Sequence, residues 1–127
     1  VAFSPMANGL LTGAYGRGDK FDPKLDYRSA MPQFTPEGEK KNGELLRILG
    51  VLAEEKHATP AQISLAWMLC KKPYIVPIPG SRKVERMREN AGAADIVLSP
   101  AEEAQIDHIL DTIPMSAVFG GTAVKSR

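Results

Sequence analysis

Four cations, Arg82, Lys83, Arg86 and Arg88, crowd behind a Pro79-Gly80-Ser81 turn in the stretch YIVPIPGSRKVERMREN, Tyr74 to Asn90. A strand that passes through Pro-Gly directly into a helix aims the helix's free N–H groups at the strand's C-terminal end. Those groups and the dipole, worth about half a positive charge, form an anion site. With a helix from about Arg82 to Ala91, Arg82 and Arg86 fall one turn apart on one side, so both guanidinium groups can converge on one anion. Two planar forks at a helix start suit a phosphate monoester better than a carboxylate. Spacing alone leaves a second reading open, a solvated face on which Glu85 and Glu89 partner the cations. Cations at a helix start oppose the dipole, which tips the balance towards a bound anion.

Other chemistry is thinly represented. There is no GxSxG elbow, P-loop, GxGxxG or metal-ligand spacing. Tyr15 and Tyr27 fall in a long loop, Tyr74 at the base of a strand, His57 before a helix cap and His108 in the last helix. All five are read as structural or solvated. Sixteen basic and fifteen acidic residues leave a net charge of +1, which speaks against nucleic acid or an acidic membrane as partner. Asp95, Glu102, Glu103, Asp107 and Asp111 fall in a stretch, 95–111, with no Lys or Arg. A lone Cys70 excludes an internal disulfide and fits a reducing, cytoplasmic setting. No apolar run approaches the ~18 residues of a membrane span, and no signal peptide is visible.

The elements that must position the basic stretch can be read from caps and periodicity. Val1 to Phe3 is a β-favouring apolar run ending at Ser4-Pro5. Residues 17–42 are mostly polar and aperiodic, a long connection of the kind that is functional or disordered. Leu45, Ile48, Leu49, Leu52 and Ala53 then recur at helical spacing. Thr59-Pro60-Ala61-Gln62 is a capping box with proline in the first turn, and the apolar residues from Ile63 to Cys70 predict a helix buried on nearly every face. Tyr74 to Ile78 predicts a parallel strand, apolar on both faces. Ser99-Pro100 with Glu102 starts a last helix, and residues 114–127 read as a small-residue surface tail. Strands alternating with helices imply α/β with a parallel sheet, yet two strands cannot close one. With no initiator Met, and an opening already inside a strand-like run, the expectation is a piece of something longer.

At this point the residues become recognisable. VPIPGSRKVERMREN closely resembles the last strand-and-helix segment of the aldo-keto reductases, VAFSPMANGLLTG resembles that family's seventh-strand segment, and TPAQISLAW between them is similar to its usual helix. The three lie in the right order and at the right separations. IPMSAVFGGT is also similar to the tails of some bacterial members. The resemblance implies the C-terminal part of a single (β/α)8 barrel domain, from strand seven onward, incomplete over residues 1–127.

It also implies roles. Phe3 matches the aromatic that stacks on the nicotinamide, and Ser4, Pro5, Met6 and Asn8 match the loop along the pyrophosphate. Family members often carry Arg near Asn8. Ile78, Gly80, Ser81, Arg82 and Arg86 match the cradle of the adenosine 2′-phosphate and ribose, and Glu89 and Asn90 the pair that hydrogen-bonds adenine. The implied reaction is hydride transfer from NADPH to an aldehyde or ketone. The family's Tyr acid, with Lys, Asp and His around it, belongs upstream of strand seven, so the chain alone is expected to be inactive and to need the N-terminal part of the barrel as partner. Phe21, Tyr27, Arg28 and Phe34 of the long loop are candidates to fold over the cofactor or line the substrate pocket. A nucleotide-sensing regulatory subunit, like the family's potassium-channel partners, is the alternative.

Overall fold

The computed structural model describes residues 1–15 and 21–112. Two short strands, β1 (Ala2–Phe3) and β2 (Pro77–Ile78), run parallel, with Ala2 opposite Pro77 and Phe3 opposite Ile78. The connection between them carries α1 (Pro36–Glu55) and α2 (Pro60–Lys71); α3 (Val84–Gly92) and α4 (Pro100–Thr112) follow β2. The tail expected at 114–127 lies outside the described residues.

α1 begins earlier than its apolar periodicity indicates. Thr35 caps it, its side chain accepting from the Gly38 N–H at 3.1 Å, with Pro36 at the first position. The connection expected over residues 17–42 is therefore shorter. Its described part also holds 3₁₀ turns at Tyr27–Ala30 and Pro32–Phe34. Gly38 is buried where a Cβ would sit 2.1 Å from the Pro32 carbonyl oxygen, so glycine lets α1 lie against the turn before it.

The core is a three-helix contact. Leu45, Ile48, Leu49, Leu52 and Ala53 of α1 meet Ile63 and Ala66 of α2, Ile106 and Ile109 of α4, and Leu98. Burying each large aliphatic side chain contributes about 1.5–3 kcal/mol, an upper range because the unfolded chain already shields part of it. The α2 capping box is complete: Gln62 N–H donates to Thr59 Oγ1 at 3.2 Å and Thr59 N–H to Gln62 Oε1 at 3.0 Å. The same reciprocal pair joins Ser99 and Glu102 ahead of α4. The acidic face of α4 is answered by lysines from the neighbouring helices, Lys56 to Glu102 at 2.9 Å and Lys71 to Glu103 and Asp107.

Two expectations are corrected here. α2 is not buried all round, since Leu69 and Cys70 are exposed and Trp67 is half-buried. β2 is shorter than Tyr74 to Ile78, and Val76 and Ile78 remain about half exposed, at 54% and 51%. The cause is common to both. The described sheet has two strands, and the face beside β2 opens as an apolar groove lined by Leu65, Leu69, Val76, Pro77 and Met87.

Candidate anion-binding site

Past the C-terminal ends of β1 and β2 lies a cleft of about 620 Å³, bounded by the β1 loop, by the 25–28 turn and by the β2–α3 connection. The β1 wall supplies Ser4, Pro5, Met6 and Asn8. Its backbone is strained, with Ser4, Ala7 and Asn8 at positive φ of 50°, 47° and 60°. Each such residue costs on the order of 1–3 kcal/mol and persists only where its surroundings hold it. Ala7 N–H donates to the Ser4 carbonyl and Gly9 N–H to that of Met6, fixing the turn. Gly9 has φ 101°, and a Cβ there would meet the Tyr15 ring at 2.9 Å. Asn8 Oδ1 faces the Tyr27 hydroxyl at 3.4 Å, while its Nδ2 is buried with no hydrogen-bond partner among the described residues.

The second wall is built around a closed ion pair. Arg28 Nε donates to Asp26 Oδ1 at 2.9 Å and Nη2 to Oδ2 at 2.5 Å, and the guanidinium lies 4.5 Å from the Tyr15 ring centre and 4.4 Å from that of Phe21. Hydrogen bonding to Arg28 holds the Asp26 carboxyl below its ordinary value, and the same contact raises Arg28. The pair therefore stays ionised and self-neutralised. Tyr15 and Tyr27, read from sequence as structural or solvated, both border the cleft, as do Leu25 and Asp26. The Asp26-x-Arg28 spacing, an acid capping a turn that holds its own base, was the available signal for this wall.

The third wall carries Gly80, Ser81, Arg82, Lys83, Arg86 and Asn90. Here the helix starts later than expected. Ser81 Oγ accepts the Lys83 N–H at 3.1 Å, a local turn that leaves Lys83 as the N-cap and Val84 as the first helical residue. Arg82 thus precedes α3, and it shares the cleft with Arg86 through the course of the connection rather than through helical spacing. Around Gly80 an added Cβ would meet nothing within 4 Å. With Asp26 cancelling Arg28 and Glu89 pairing with Arg86, Arg82 and Lys83 leave the lining cationic.

Nine of the twelve residues that the resemblance matched to the cofactor site share this cleft: Ser4, Pro5, Met6, Asn8, Gly80, Ser81, Arg82, Arg86 and Asn90. Ile78 and Glu89 lie outside its lining. Glu89 is engaged elsewhere, accepting from Thr59 Oγ1 at 2.7 Å and from Arg86 Nη1 at 3.2 Å. The backbone of Phe3 pairs with Ile78, and the stacking expected of its ring lies outside the described residues. No group of three or more His, Cys, Asp or Glu among the described residues is arranged to hold a metal ion.

Comparison with known proteins gives this geometry a setting. The profile of the Aldo/keto reductase family matches residues 1–111. The chain is 40% identical over 106 residues to the aldo-keto reductase str7 of Strobilurus tenacellus, covering 84% of this chain and 31% of that protein. It is 39% identical over 111 residues to the Schizosaccharomyces pombe aldo-keto reductase yakc, whose name carries NADP(+), covering 87% and 32%. The chain thus spans about a third of the length of the curated relatives it matches. The glycerol dehydrogenase AKR11B4 from Gluconobacter oxydans superposes with a TM-score of 0.79 at 23% identity, over 95% of this chain and 36% of that one. The likeness establishes the fold: the β–α–β arrangement is part of a (β/α)8 barrel.

Proposed function

We propose, for a chain that belongs to the aldo/keto reductase family, that the cleft is the NADPH-binding half of an oxidoreductase acting on a small carbonyl compound. The observation that carries this is the convergence of Arg82, Lys83 and Arg86 on one cleft beyond two parallel strand ends, with the neighbouring acid already neutralised. The residues fit the group. The cations and the start of α3 would hold the 2′-phosphate, Gly80 leaves open space beside them, and the strained Ser4–Asn8 loop would lie along the pyrophosphate. Bound NADPH supplies a hydride to the carbonyl carbon. This chain's own residues orient the coenzyme and fix its identity.

Tyr27 directs its hydroxyl to Asn8 and Tyr15 sets its ring against Arg28, so both serve the walls of the cleft. We infer that the 127 residues alone bind NADPH without turning it over, and that turnover requires further barrel strands of the same domain. The yakc name supports the coenzyme, and the likeness to a glycerol dehydrogenase supports the fold on which such chemistry is done.

Titrating the protein with NADPH and NADH, read by nicotinamide fluorescence, tests the reading. NADPH is expected to bind at least tenfold more tightly, and Arg82→Ala with Arg86→Ala to erase the difference, since charge-assisted hydrogen bonds are each worth about 1.5–3 kcal/mol. Equal affinity for the two coenzymes in the unaltered protein refutes it.

A further inference from the structure

We infer that Glu89 and Thr59 form a strut that positions Arg86 for the anion, joining the first turn of α2 to the cleft. The inference rests on the NADPH reading above. The Glu89 side chain is one-fifth exposed, and both its oxygens are engaged. Thr59 Oγ1 donates to Oε1 at 2.7 Å, and Arg86 Nη1 donates to Oε2 at 3.2 Å. The rest of the segment is tied to the same helix, with Gln62 Nε2 donating to the Glu89 carbonyl at 2.8 Å. Thr59 therefore serves two partners, accepting the Gln62 N–H as the α2 cap while giving its own hydrogen to Glu89.

The chemistry of Arg86 explains what the strut achieves. A guanidinium has five N–H donors, and Glu89 uses one Nη1 position, leaving the others for a ligand. A half-exposed arginine would otherwise lose rotamer freedom on binding. Fixing it beforehand removes that cost, which corresponds to roughly two- to tenfold in affinity. With one bond on each carboxylate oxygen, Glu89 is a positioning residue for Arg86.

The test separates the strut from the helix cap. Thr59→Asp keeps an N-cap acceptor but has no hydrogen for Glu89; Thr59→Ser keeps both. In the purified protein, T59D is expected to weaken NADPH binding about three- to tenfold, with NADH changed less than twofold and the melting temperature kept, while T59S binds as the unaltered protein does. Glu89→Gln, which leaves the cap intact, is expected to show the same selective loss. In an Arg86→Ala background T59D is expected to add nothing. Equal losses for NADPH and NADH, or a T59D effect that persists without Arg86, overturns the inference. If the unaltered protein fails to prefer NADPH, the coenzyme reading falls first, and the strut falls with it.

Discussion

Gly38→Ala isolates one contact whose sign is decided by the structure. Within a helix, Ala is normally favoured over Gly by about 0.5–1 kcal/mol, because glycine loses more backbone freedom on folding. At Gly38 the added methyl would lie 2.1 Å from the Pro32 carbonyl oxygen, 3.0 Å from Gln33 Cα and 3.1 Å from Gln33 C. All three are backbone atoms, so no side chain can swing aside. Relief requires moving the Pro32–Phe34 turn away from α1, and overpacking of this kind typically costs about 1–3 kcal/mol. The repulsion wins, and G38A is expected to destabilise by about 1–2 kcal/mol net. Gly43 and Gly50 lie in the same helix and would place a methyl where nothing stands within 4 Å. G43A and G50A are therefore expected to stabilise by about 0.5–1 kcal/mol each. Urea denaturation of the three variants side by side reads the contrast, a gap of roughly 1.5–3 kcal/mol at unchanged m. If G38A proves as stable as G43A, the close approach of α1 to the turn is not a property of the folded protein.

Asp107 predicts an acid-sensitive step. It accepts from Lys71 Nζ and from Trp67 Nε1 at 2.8 Å, and these bonds, that from Lys71 first, hold its carboxyl below the ordinary 3.8. A depressed value means stability present above pH 3.8 and lost as pH falls through the folded-state value, so the denaturation midpoint is expected to drop below about pH 4 and Asp107→Asn to flatten that drop. A midpoint profile unchanged by D107N contradicts this. Gln33 offers the opposite effect: it is fully buried, its Nε2 meets the Met31 sulfur at 3.5 Å, and its Oε1 has no partner among the described residues. Gln33→Met is expected to raise stability by about 1 kcal/mol, since an unpaired buried amide oxygen costs about 1–3 kcal/mol; a lower urea midpoint for Q33M would count against it.

What the sequence revealed and what it hid divide along the range of the interactions. The Thr59 and Ser99 caps were legible because their hydrogen bonds close within the same turn. The start of α1 was obscured by its own polar first turns, Pro36 to Glu44, where apolar periodicity has nothing to repeat and Gly38 reads as a breaker. Its Thr35-Pro36 cap was the same signal as Thr59-Pro60, on a segment whose composition argued for a loop. The basic cluster was legible as charge, but the Ser81 turn moved the helix start past Arg82. The Arg86–Glu89 pair was among the readings that helical spacing left open, but the bond from Thr59 was not legible, since Thr59 lies at the start of another helix. Family resemblance assigns Glu89 a ligand, and the packing adds the two protein partners of its oxygens.

The connection after β1 now has a mechanical reason for its length. Positive φ at Ser4, Ala7 and Asn8 stores on the order of 1–3 kcal/mol per residue in one short wall of the cleft. Something must hold that wall; Leu10, buried, and Leu11, packed against the helical core, anchor its far end. The aromatic rings of the connection supply the backing. Tyr15 stands where a Cβ on Gly9 would touch it, and it meets Phe21 at 5.5 Å and Phe34 edge-on at 6.4 Å. Phe21 and Phe34 close the triangle at 5.0 Å, with Phe34 buried at the foot of α1. Such pairs add about 0.5–1.5 kcal/mol each beyond their buried area, comparable in scale to the strain they restrain. Arg28, laid over two of these rings and locked to Asp26, then turns the backing into the second wall of the cleft. The segment that reads as an unstructured connection is thus what allows a strained loop to stand opposite Arg82 and Arg86 in a fixed shape, and the cleft keeps its geometry before any anion arrives.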